Sequence, residues 1–110
     1  MNDIKEKIIK KINKEYENFI NKLNTREKLY DHIYEVVDKQ NIVYSLTLML
    51  EEKNMLSNRQ MIALYKSNNI LNEIYNDYSS ADYDIFRDLR ESIVYTSNVL
   101  LGKQKMEERL

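Results

Sequence analysis

The stretch IVYSLTLML, residues 42–50, decides the fold class because its apolar residues fit two geometries. Ile42, Tyr44, Leu46, Leu48 and Leu50 alternate as the residues of a half-buried strand do, whereas Ile42, Val43, Leu46, Met49 and Leu50 recur along one face of a helix. A strand needs a partner, and no other segment of the chain offers one. The helical reading therefore prevails, and it makes the protein all-α. Tyr44 and Leu48 then fall on the other side of the same helix. A helix that is apolar nearly all round belongs inside a bundle, so residues 42–50 are expected at the centre with the long first and last helices packed across them.

Upstream, Ile4, Ile8, Ile9, Ile12, Tyr16, Phe19, Ile20 and Leu23 share one face of a helix expected from Asp3 to Leu23. Lys7, Lys10, Lys11 and Lys14 converge on the opposite face, where they are candidates for contact with phosphate or an acidic partner. Glu6 and Glu17 flank them, and a merely solvated face is the plainer alternative. Asn24 and Glu27 have the spacing of a capping box and open a helix near Arg26. Leu29, Ile33, Val36 and Val37 are its expected buried face, Tyr30 and Tyr34 its edges, and Asp31, Glu35 and Asp38 its far side. The single histidine, His32, sits three residues before Glu35, a spacing that can bring two ligands to one metal. One histidine among solvated carboxylates falls short of a four-ligand site, and no metal is expected.

Downstream, Ser57 and Gln60 form a second capping-box pair, with Met61, Leu64 and Tyr65 inward. Asn68 and Asn69 end that helix. Ile70, Leu71, Ile74, Tyr75 and Tyr78 mark the next one. Two short helices around a tight turn raise the question of a helix-turn-helix, but the second exposes Asn72, Glu73, Asn76 and Asp77. It has no Arg or Lys for phosphate or guanine, so DNA reading by this unit is not favoured. Residues 79–82 read as a loop. A last helix follows to about Leu101, with Ile85, Phe86, Leu89, Ile93, Thr96 and Leu100 as its core stripe and Gly102 as its end. The domain is thus expected over residues 1–102, with 103–110 a short charged tail that frays.

The last helix also carries the candidate partner-binding residues. Asp84, Asp88 and Glu91 line its polar side together with Tyr95, while Val94, Val99 and Leu101 fall outside the core stripe. Unless the first helix covers them, these seven residues offer an apolar patch with an acidic row beside it. A homodimer through the same face is a further alternative.

Composition narrows the classes. One Gly, no Pro and 32% charged residues suit helices, and 110 residues suit one domain that buries about 65% of the unfolded chain's surface. No Cys means no disulfide, no thiol nucleophile and no thiolate metal site. Without a Gly-rich phosphate loop, a second His or a nucleophile motif, no enzyme activity and no cofactor are expected. A net charge of −1 argues against a general nucleic-acid binder. No apolar run reaches the ~18 residues of a membrane span, and the lysines interrupting the N-terminal isoleucines do not form a signal peptide. A cytoplasmic protein that does not engage membranes is the expectation. Nine tyrosines, a residue type enriched where proteins meet partners, point towards binding.

A resemblance adds to this reading. Tyr34-Glu35, Ile42, Ser45-Leu46, Leu56-Ser57, Gln60, Ala63-Leu64, Leu71, Tyr75, Asp77, Arg87-Asp88 and Glu91-Ser92 make the stretch from Tyr34 to Ile93 similar to a family of small all-helical domains from Clostridia and other Firmicutes, carried partly on mobile elements. The resemblance implies an accessory or regulatory protein, one that counters host or phage defence. It carries over no catalytic residue. The expected function is therefore a small protein-binding inhibitor or adaptor, with nucleic-acid association through the N-terminal lysines as the alternative.

Overall fold

Six helices make up most of the residues described in the computed structural model, 3–52, 55–80 and 89–108: α1 (Asp3–Lys22), α2 (Arg26–Asp31), α3 (Ile33–Glu51), α4 (Asn58–Lys66), α5 (Ile70–Ser80) and α6 (Leu89–Glu108). No strand occurs among the described residues, so residues 42–50 are helical and the fold is an all-α bundle. Helices α3, α4 and α5 each pack on both α1 and α6, which makes them a middle layer between the two long helices.

The core follows from the helical stripes. Ile8 and Ile12 from α1, Ile42 and Leu46 from α3, Ala63 and Leu64 from α4, Ile70 and Ile74 from α5 and Ile93 from α6 are all fully buried. Small buried side chains, Ala63 on α4 and Ser92 and Ser97 on α6, let these two helices pack closely. Two hydrogen bonds add to that contact, from Gln60 Nε2 to Asn98 Oδ1 and from Gln104 Nε2 to the Ala63 carbonyl, each 3.0 Å.

Capping explains where the middle helices start. The Ser57 hydroxyl accepts from the Gln60 amide while the Gln60 side chain accepts from the Ser57 amide, a complete capping box. Asn69 Oδ1 accepts from the Asn72 amide at the start of α5. At α2 the cap is Thr25 rather than Asn24, its hydroxyl accepting from the Lys28 amide at 3.1 Å.

The fold departs from the sequence expectations in several places. The helix opened near Arg26 is interrupted at His32 (φ −113°, ψ 20°), and α3 then runs unbroken through residues 42–50. Its centre is not enclosed all round: Ile42, Leu46, Met49 and Leu50 are buried, but Tyr44 and Leu48 are exposed on the outer side. Leu29, Ile33 and Val37, expected inward, are also exposed: no helix other than α3 packs substantially on α2, and Ile33 and Val37 share the outer side of α3 with Tyr44 and Leu48. Tyr65 likewise faces outward. Finally, α6 continues through Gly102 to Glu108, so residues 103–108 are helix and not tail. The Gln104 bond to α4 holds this extension in place, at a cost of only about 1 kcal/mol for glycine in a helix interior.

Candidate interaction surface

Helix α3 carries apolar residues on two opposite sides, and the bundle uses only one of them. The outer side presents Ile33, Val37, Tyr44 and Leu48, with Gln40 and Asn41 at its midpoint, all six exposed. Leu29 and Tyr30 of α2 and Tyr34 of α3 extend this face. The aromatic rings stand furthest out: Tyr30 is 80% exposed, Tyr34 85% and Tyr44 66%. The seven apolar residues are each at least 39% exposed and together leave several hundred Å² open, which is large for the surface of an isolated soluble chain. Sequence reasoning missed this face. Its signal was present in residues 42–50, where an all-round apolar helix fits one exposed side as well as two buried ones.

The expected patch on the last helix is brought together only in part. Tyr95 and Val99 are exposed one turn apart, 53% and 36%, and Glu91 is exposed one turn before Tyr95. Val94 and Leu101 are half-buried and pack against the core instead. Asp84 and Asp88 lie outside the described residues. Tyr95 and Val99 line a cleft of about 230 Å³ whose opposite wall is Glu73, Asn76 and Asp77 of α5. Gly102 has open space beside it and Met106 is exposed, which extends the outer edge of α6 towards its C-terminus.

The lysine cluster of α1 is divided. Lys7, Lys10 and Lys14 are exposed, as their shared face required. Lys11 instead reaches the C-terminal end of α4, where its ammonium donates to the Tyr65 carbonyl at 2.7 Å and to the Ser67 carbonyl, over the Tyr65 ring. One turn on, Glu15 accepts from the Ile70 and Leu71 amides at 3.1 and 3.0 Å, at the N-terminal end of α5. A cation thus meets unpaired carbonyls and an anion meets unpaired amides, so α1 clamps the α4–α5 corner through both helix dipoles. These roles are structural, and they remove Lys11 from any phosphate-binding surface.

Burial of Glu15 raises its carboxyl above the usual range, and the Leu71 and Ile70 amides and Lys11 recover only part of that shift. The raised value means that its contribution to stability is fully present below the unfolded value and declines as pH rises through the folded one. Glu15→Gln is therefore expected to gain on the wild type as pH is raised from about 4 to 7, read from urea midpoints at each pH. A gap that widens in the wild type's favour would contradict this.

Lys39, which sequence reasoning did not single out, is buried at 4% exposure. Its ammonium lies 2.8 Å from Glu35 Oε2 and 3.0 Å from Asn72 Oδ1, with the Phe19 ring centre 3.8 Å away and that of Tyr75 5.2 Å away. Burial alone would raise the Glu35 carboxyl, but Lys39 and His32 outweigh it by hydrogen bond and charge and hold it below the usual value. His32 Nδ1 and Glu35 Oε1 are 3.2 Å apart, which makes them a hydrogen-bonded pair. Among the described residues no group of three or more His, Asp or Glu is placed to hold a metal. No helix there is long and apolar enough to cross a membrane. No protein-family model, curated protein or solved structure matches the chain, so its own geometry carries the functional reading.

Proposed function

We propose that this is a small interaction protein, working by docking a helical face onto another protein without chemistry of its own. The observation that carries this reading is the open apolar face of α2 and α3. Keeping seven large apolar side chains in water forgoes about 25 cal/mol for each Å² left unburied, and docking onto a partner recovers it. Tyrosines suit the task because they supply large contact area while ordering few rotors. The action is steric: a rigid helix face occludes or bridges a site on the partner, as an inhibitor or adaptor does.

A photo-crosslinking residue in place of Tyr44 tests this in cells of the native host. The expected result is a covalent adduct with a defined protein, and no such adduct when the same residue replaces exposed Lys10. Absence of any adduct at position 44 would overturn the reading. In the competing outcome, Lys7, Lys10 and Lys14 bind nucleic acid, with affinity that falls steeply as salt is raised. An anisotropy titration at two salt concentrations distinguishes it, and the absence of binding at low salt removes it.

A further inference from the structure

We propose that the occupant of the α3 face is a second copy of this chain, docked antiparallel across a two-fold axis that passes between Gln40 and Asn41. This rests on the reading of that face as protein-binding. An isologous interface requires that if one residue meets another, the second also meets the first. The exposed residues of α3 satisfy that condition by their spacing. Ile33 and Leu48, Val37 and Tyr44, and Gln40 and Asn41 are each placed symmetrically about one point, and all six are exposed.

The chemistry of the pairs supports this register. Across the axis, each Tyr44 ring meets the small Val37 of the other copy, and each Ile33 meets a Leu48 of equal volume, so the layers fill evenly. At the centre, the Gln40 and Asn41 carboxamides donate to each other's carbonyl oxygens. A polar pair inside an apolar seam fixes register and orientation. Towards the ends, the exposed carboxylate of Glu51 comes opposite Tyr30, one turn from exposed Arg26, where the phenol donates to the carboxylate. A parallel arrangement would instead set Glu51 and Glu52 against their own copies and align the two helix dipoles. The exposed apolar face, several hundred Å² per chain, is of the order of one partner's share of a standard interface, about 800 Å². Because α6 packs on the bundle side of α3, the dimer leaves both α6 edges open and presents Tyr95 and Val99 twice, which suits a bridging adaptor.

Sedimentation of the full chain at about 100 μM is expected to give a dimer, and Tyr44→Glu with Leu48→Glu to weaken it at least a hundredfold while helical circular dichroism stays unchanged. Since the chain has no cysteine, single cysteines report the register. Asn41→Cys places the two thiols about 1.5 Å apart along the helix axes, and Glu51→Cys about 31 Å apart. A short bis-maleimide should therefore join the first variant into a covalent dimer and leave the second monomeric. Equal cross-linking of both variants means a parallel pair and overturns the proposal, as does a monomeric wild type. If that monomer still yields an adduct with a different protein at position 44, the dimer is refuted and the protein-binding reading stands.

Discussion

Leu46→Ala is expected to lower the unfolding free energy by about 3 kcal/mol, within the ~2–5 range for leucine truncation in a core. Leu46 is fully buried on the inner side of α3, in the layer packed between α1 and α6, so removing its side chain leaves a void that no single neighbour can fill. Against a total stability of about 5–15 kcal/mol, that loss is a large fraction, visible as a drop in the urea midpoint at unchanged slope. Leu48→Ala, only two residues on, is expected to cost under about 1 kcal/mol because its side chain lies on the outer face. The comparison separates the two geometries offered by residues 42–50. In a strand Leu46 and Leu48 would share a face and respond alike. Equal losses would therefore contradict the helical arrangement.

Lys39→Ala is expected to cost about 2–4 kcal/mol, an unusually large effect for a lysine. Its buried stem fills the space by Phe19 and Tyr75, and truncation would leave both rings and Asn72 without that contact. Lys39→Met should cost about 1 kcal/mol, because an unbranched side chain of similar volume keeps the packing and the half-buried Glu35 retains access to water. The two variants together separate stem from charge. The charge has its own signature in acid. Glu35 is held below its usual value of 4.5, so its contribution is present above that pH and is lost as pH falls through its folded value. In Lys39→Met that acid loss should shrink, since the main partner holding the carboxylate is gone. If the wild type and Lys39→Met lose stability equally on acidification, Lys39 does not hold Glu35 down.

Much of the fold was legible because it depends on local rules. Ser57 and Gln60 satisfy each other's backbone within four residues, and the start of α4 could be read from them directly. Ile8 with Ile12, and Ile70, Leu71 and Ile74, lie on stripes whose periodicity points to one side only. The exposure of Tyr95 was readable for the same reason, since helical geometry puts it in a polar sector. Lys11 was not readable. Its neighbours place it on a lysine face, and only the arrival of the α4 C-terminus 54 residues later in the chain turns it inward. Lys39 is the same case, drawn into the core by rings from α1 and α5. Gly102 carried a stop signal that a remote hydrogen bond from Gln104 overrode.

The sequence by itself determined that the chain is all-helical, since residues 42–50 had no strand to pair with, and it determined most of the residues that form the core. It also showed that α3 is apolar on both sides. Which of those sides the bundle covers was decided only in three dimensions. Periodicity measures how apolar residues are distributed around a helix, whereas burial depends on where other helices arrive. Helices α1, α5 and α6 gather on the side of Ile42 and Leu46, and that packing leaves Tyr44 and Leu48 facing outward as the protein's open surface.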